Sequence, residues 1–214
     1  MRIATWNLAG RFTGAHAELV ESMRADLLLL TEVSERTELP GWHLHLSRDQ
    51  MAARRRWSGI ATRAPAVPLP DPHPATAAVR LDGLVCWSSV LPWRSSGAIP
   101  WGAAPHADRT RRVLDSLLAS SPVPDVWGGD WNHALHGREW AGSKAGREHL
   151  LRAVAQWELQ PLTGGLPHRL PNLLSIDHIA VPGDWPVHAA ERIDATGLSD
   201  HDAYVVGVTP RARP

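Results

Sequence analysis

A chain of 214 residues is long enough for one sizeable hydrophobic core and short for two, which predicts a single domain over residues 1–214. Its 22 lysines and arginines balance 22 aspartates and glutamates, which excludes the basic surface of a nucleic-acid packing protein and confines phosphate recognition to a local site. The single cysteine, Cys86, rules out an internal disulfide, and the longest aliphatic run, Leu27 to Leu30, is far too short to span a membrane.

Met1-Arg2 leads straight into strand-like sequence without an apolar signal segment, so the expectation is a cytoplasmic protein, with a monomer the favoured state. Arg2 to Trp6 reads as a first strand with Asn7 at its C-terminal end. Leu19, Val20 and Met23 recur at helical spacing within a helix from Ala15 to Arg24. Asp26 to Thr31 then carries a continuous apolar run, the mark of a strand buried on both faces, and Glu32 stands at its end. Trp42 to Leu46 and Ser58 to Thr62 are further strands, separated by an exposed loop containing Arg54-Arg55-Arg56. The Pro-rich stretch from Pro65 to Pro74 is a connection.

Ala75 to Leu81 and Leu84 to Val90 flank Asp82-Gly83, the strongest hairpin signal in the chain. After a loop from Pro92 to Pro105, a helix runs from His106 to Ala119 on the stripe Val113, Leu114, Leu117 and Leu118, with Arg111 and Arg112 on its solvated face. An apolar strand from Val123 to Trp127 ends at Gly128-Gly129-Asp130-Trp131-Asn132. In extended backbone Asp130 and Asn132 share a face, and the glycines permit close approach of another group, such as a phosphate. A helix over Lys144 to Gln156, a long loop from Leu159 to Leu174, a strand from Ser175 to Val181 and a last strand from Ala203 to Val208 complete the chain. The mixture of hairpins, strands and helices predicts α+β layers around a mixed sheet.

Asn7, Glu32 and Asp130 each follow an apolar strand, whereas Asp200 and His201 precede one. If the last strand runs antiparallel to the others, all five meet at one rim, a costly gathering of carboxylates unless a cation or substrate compensates them. Oxygen ligands without thiolates favour Mg²⁺ or Mn²⁺ over Zn²⁺. His43 and His45, two apart on a strand, lack a nearby cysteine to complete a zinc site and read as exposed strand residues.

The ordered set Trp6-Asn7, Leu30-Thr31-Glu32, Ser58-Gly59-Ile60-Ala61-Thr62-Arg63, Gly129-Asp130-Trp131-Asn132, Ser175-Ile176-Asp177-His178-Ile179 and Ser199-Asp200-His201 resembles the endonuclease/exonuclease/phosphatase superfamily. The group includes exonuclease III-type and deoxyribonuclease I-like enzymes, sphingomyelinases and inositol-polyphosphate phosphatases. The resemblance implies a four-layered α/β sandwich with two packed mixed β-sheets flanked by helices, and metal-dependent hydrolysis of a phosphoester. It implies Glu32, Asn7 and Asp200 around Mg²⁺ or Mn²⁺, Asp130 on the attacking water and Asn132 on the phosphate. His201, oriented by Asp177, would meet the developing charge on phosphorus.

Nuclease members of that family often carry another His, Tyr or Asn in the strand and loop after the hairpin, where this chain reads Ser88-Ser89-Val90-Leu91-Pro92-Trp93-Arg94. Arg94, His133 and His136 are the substitute contacts this sequence offers. The leading expectation is a phosphodiesterase or nuclease acting on DNA or RNA. The alternatives are a hydrolase of small phosphorylated metabolites or lipid head groups, and a catalytically silent member that binds nucleic acid or protein. Trp57, Trp93, Trp101 and Trp140 lie in or beside the loops that would choose the substrate, as base-stacking platforms or as packing.

Overall fold

The computed structural model describes residues 1–211. Its first sheet has seven strands: β1 (Arg2–Asn7), β2 (Leu27–Ser34), β3 (His43–Leu46), β4 (Gln50–Ala52), β5 (Arg55–Thr62), β12 (Val187–Ile193) and β13 (Ala203–Val208). They lie in the order β12-β13-β1-β2-β5-β3, with β4 also paired to β5. The second sheet, of six strands, joins β10 (Leu159–Pro161), β11 (Asp177–Pro182), β9 (Val126–Asp130), β8 (Leu84–Ser89), β7 (Thr76–Leu81) and β6 (Val67–Pro68), in that order. Both sheets are mixed: β1 is parallel to β2 and antiparallel to β13, while β9 is parallel to β8 and antiparallel to β11.

Strand alternation builds the layers. Ile3, Leu27, Leu29 and Ile60 of the first sheet meet Val79, Cys86, Val126 and Ile179 of the second in a buried seam between them. The intervening residues Ala4, Trp6, Leu28 and Leu30 point outward onto Val20 and Met23, at the end of α1 (Gly14–Ser22). On the far side Val85, Trp87 and Trp127 pack beneath α2 (His106–Leu118) and α3 (Lys144–Gln156) through Val113, Leu114, Leu117, Leu150 and Val154. The result is helix, sheet, sheet, helix: the α+β sandwich expected from the motifs.

Tryptophan takes the part that Phe and Tyr usually play. Trp127 stacks obliquely on Trp131, with centroids 4.0 Å apart, and meets Trp157 edge-on at 5.0 Å. Trp57 and Trp101 are likewise buried, packed edge to face at 5.0 Å, so neither is a stacking platform.

Several expectations change. Strand β5 begins at Arg55 rather than Ser58, because the Arg54 turn delivers Arg55 and Arg56 into ladders with both β2 and β4; they do not sit in an exposed loop. Glu32 lies within β2, which continues to Ser34. The central strand is Val126–Asp130, so both glycines belong to it. The partner that approaches Gly129 closely is the neighbouring strand: a Cβ there would stand 2.3 Å from the Ser89 carbonyl oxygen, and its φ is +118°. Strand β12 escapes the sequence reading because five of its seven residues are exposed and its apolar pattern is weak. It is an edge strand held by its ladder to β13 and by Arg192, whose guanidinium lies 2.9 Å from the buried Asp202. Among the described residues no helix is long and apolar enough to cross a membrane.

Candidate active site

The antiparallel register of β9 and β11 sets Asp130 opposite Asp177. Two carboxylates so placed repel each other, and both are buried. Between them lies His201: its Nδ1 is 2.7 Å from Asp177 Oδ2, and its Nε2 is 4.0 Å from Asp130 Oδ2. Burial opposes charge on this imidazole, but Asp177 and Asp130 outweigh it and push its pKa up to about 10. Burial, then repulsion from Asp177, raises the Asp130 carboxyl to about 7. Asp177 Oδ1 is buried without a hydrogen-bond partner. One ligand atom from each of Asp130, Asp177 and His201 lies within 4.8 Å of the others.

The histidine reaches this place because the turn before β13 is tied to the end of β1. Ser199 Oγ donates to the Asn7 carbonyl at 2.6 Å and accepts from the His201 N–H at 3.1 Å. Trp6 Nε1 donates to the His201 carbonyl at 3.2 Å. The antiparallel course of β13 on β1 therefore brings Ser199-Asp200-His201 beside Asn7.

Asn7 Nδ2 donates to Asp130 Oδ2 at 3.0 Å and reaches Glu32 Oε1 at 3.3 Å, while its Oδ1 accepts from the Ala9 N–H at 2.9 Å. Glu32 thus joins the group from the first sheet. It has φ +50°, a left-handed conformation unusual inside a strand and worth about 1 to 3 kcal/mol of strain. Register with β5 is kept on both sides of it, through Thr31 with Ser58 and Val33 with Arg56. The other carboxylate oxygen, Oε2, accepts from Arg55 Nη1 at 2.8 Å. Sequence reasoning missed Arg55 because nothing in a run of three arginines distinguishes the one that faces a carboxylate.

Asn132 also has a left-handed φ, +53°, so it does not share the extended face of Asp130. Its N–H donates to Asp130 Oδ1 at 3.1 Å, and Nδ2 donates to the Leu91 carbonyl at 3.0 Å. Asn132, His201 and Asp200 line a cleft of about 610 Å³ whose other walls include Trp93, Arg94, Trp140 and His168. Arg94 braces the wall by donating to the Gly142 carbonyl at 2.7 Å. Asp200 is exposed on the rim, with Ser199 Oγ 3.4 Å from its Oδ1.

Two of the expected contacts fall elsewhere. His133 is fully buried; its Nδ1 donates to the Trp131 carbonyl at 2.7 Å, and burial lowers its pKa to about 3, so it is a neutral core residue away from the cleft. His136 is exposed and is not part of the cleft wall. The histidine that does line it, His168, lies in the long loop before β11, where no periodicity marks it out. Its Nδ1 accepts from the Leu170 N–H at 3.0 Å, its ring meets Trp140 edge-on at 4.6 Å, and burial lowers its pKa. The neutral ring therefore carries its proton on Nε2.

Comparison with known proteins agrees with this architecture. No curated protein sequence matches the chain. The endonuclease domain of TRAS1, a telomere-specific non-LTR retrotransposon, superposes with a TM-score of 0.65 at 16% identity, over 97% of each chain. The catalytic domain of Xenopus laevis APE2 gives 0.65 at 12% identity, over 97% of this chain and 91% of that one. The AP endonuclease LMAP from Leishmania major gives 0.63 at 17% identity, over 96% and 86%. At these identities the likeness is one of fold. Residues 4–201 match the Endonuclease/Exonuclease/phosphatase family, and the chain belongs to it.

Proposed function

We propose that the protein is a divalent-metal-dependent phosphoester hydrolase, a phosphodiesterase or nuclease working by in-line attack of water. One observation carries the reading: Asp130 Oδ2 lies 3.0 Å from the Asn7 amide and 4.0 Å from His201 Nε2, so an acid, an amide and an imidazole from three parts of the chain converge beside an open cleft.

The donors fit a hard cation. Oxygens dominate the group, the lone cysteine is buried between the sheets, and Asp177 Oδ1 has no partner. Glu32 and Asn7 would hold Mg²⁺ or Mn²⁺, with Asp200 on the rim as an outer contact, and the ion would polarise a phosphoryl oxygen. Asp130, Asp177 and His201 are close enough to bridge an ion, but an imidazole already bonded to Asp177 with its pKa at about 10 keeps its proton and is a poor ligand.

The remaining steps belong to the side chains. Asp130, with its pKa raised to about 7, accepts the proton of the attacking water. His201, held by Asp177, presents Nε2–H to the charge that develops on phosphorus. Asn132 keeps one amide proton beyond that given to Leu91 and offers it to the phosphate. Trp93 and Trp140 line the cleft with Arg94 and Arg169, a pairing of indoles and guanidiniums that favours a nucleic-acid or nucleotide substrate. A silent binding role would have no use for a charged histidine held between two carboxylates.

The test is turnover by the purified protein with Mg²⁺ or Mn²⁺ on plasmid DNA, abasic duplex, RNA, bis-p-nitrophenyl phosphate and p-nitrophenyl phosphate, with Asp130→Ala as control. Diester cleavage that a chelator removes and the variant lacks is the expected result. Turnover of the monoester alone would assign a phosphatase, and binding without any turnover would assign the silent role.

A further inference from the structure

We propose that Arg55 is a latch on Glu32, a built-in cation that the divalent ion must displace. The inference rests on the metal-dependent reading above and concerns how this chain admits the ion. Both carboxylate oxygens of Glu32 are engaged: Oε1 faces Asn7 Nδ2 at 3.3 Å, and Oε2 accepts from Arg55 Nη1 at 2.8 Å. An ion drawing on Oε2 would share that oxygen with a full positive charge only 2.8 Å away.

The guanidinium has a shaped seat. Arg55 is anchored in two ladders, paired with Ser34 of β2 and Ala52 of β4, so its backbone cannot withdraw. Its head lies against Gly10, where a Cβ would stand 2.3 Å from Nε and 2.6 Å from Cζ. Gly10 in turn donates its N–H to the Glu32 carbonyl at 2.8 Å, so the seat and the carboxylate belong to one hydrogen-bonded unit. The Arg55 side chain is 36% exposed, which leaves it solvent to swing into when the ion arrives.

Electrostatics gives the seat a purpose. Without metal, Glu32, Asp130 and Asp177 crowd one end of the sandwich, and His201 lies beside the last two, not beside Glu32. Arg55 balances Glu32 in that state. With a dication bound, the same guanidinium becomes a like charge across one carboxylate, and its departure relieves the repulsion. Metal affinity is therefore set below what the oxygen donors alone would provide.

The test is Mn²⁺ binding to the full chain, read from the electron paramagnetic resonance of the free ion, for the wild type, Arg55→Gln, Gly10→Ala and Glu32→Gln. Arg55→Gln is expected to bind Mn²⁺ about tenfold more tightly. Gly10→Ala evicts the guanidinium without removing its charge, and it is expected to shift affinity in the same direction by a smaller factor. Glu32→Gln is expected to lose the site. In the wild type, the Arg55 guanidinium Nη–H nuclear magnetic resonance signal should be protected without metal and lose protection as Mg²⁺ is added, a measurement that needs no variant to fold. Equal or weaker Mn²⁺ binding by Arg55→Gln, or an Arg55 signal indifferent to Mg²⁺, overturns the latch. Absence of binding by the wild type and every variant would instead remove the metal-dependent reading on which it stands.

Discussion

Asp130 and Asp177 face one another across an antiparallel ladder, and the imidazole of His201 bridges them from the turn that leads into β13 of the other sheet. Like charges directly opposed on a ladder are destabilising, so this pair is tolerable only with a cation or a shared proton between them. The sandwich supplies the cation by tying the Ser199 turn to Asn7, and the consequences are measurable.

Asp177→Asn keeps the shape of the pair and removes the charge that holds His201 protonated. Turnover is expected to fall by up to about 10⁴-fold, the loss seen when the acid orienting a catalytic histidine is neutralised. His201 should then lose its proton at lower pH, so the basic limb of kcat/KM moves down by at least about one unit. Mn²⁺ affinity, which the proposed site assigns to Glu32 and Asn7, should stay within about threefold. A basic limb left in place would show that Asp177 does not govern the histidine.

Stability of the metal-free protein should fall as pH rises. Asp130 has its pKa raised from 3.8 to about 7, so between those values the folded state holds a proton that the unfolded chain has released. That stability is complete below pH 3.8 and is lost as pH climbs through 7. His201, raised from 6.5 to about 10, acts with the same sign over the higher window. Each window carries a slope of up to about 1.4 kcal/mol per pH unit. Urea titrations in the presence of chelator should show the decline from pH 5 to 7 in the wild type, and Asp130→Asn should flatten it. An unchanged slope in the variant would assign the effect elsewhere.

Gly129→Ala should cost about 3 kcal/mol or more of folding stability. The added methyl would meet the Ser89 carbonyl oxygen at 2.3 Å in a backbone with φ +118°, and β8 cannot retreat while paired on both sides. Chemical denaturation measures this directly; a loss under about 1 kcal/mol would mean that the two strands have room to separate.

Trp140→Ala should raise KM for a single-stranded oligonucleotide by about fivefold or more while changing KM for bis-p-nitrophenyl phosphate little, since stacking is worth about 1 to 3 kcal/mol per base. The indole lines the cleft and is fixed by its N–H to the Leu174 carbonyl at 3.1 Å. Equal effects on both substrates would reduce it to a prop for His168.

The motifs and strand periodicity determined much of this protein before any coordinate was known. The strand from Arg2 to Trp6, the continuous apolar run Leu27 to Leu30, the Asp82-Gly83 hairpin and the Lys144–Gln156 helix are local patterns, and local patterns are written in neighbouring residues. The resemblance carried by the short motifs likewise pointed to Asn7, Glu32, Asp130, Asn132, Asp177 and His201, because each motif is a run of a few neighbouring residues. Tertiary structure alone decided what depends on register and approach across the chain. It set Asp177 opposite Asp130, sealed His133 in the core and brought His168 to the cleft. It also carried Arg55 onto Glu32, since two ladders and the bare face of Gly10 determine where that guanidinium rests, and none of the three is visible in the arginine run itself. The reason is physical: side-chain chemistry is carried by single residues, whereas a distance between two of them is set by every strand that packs in between.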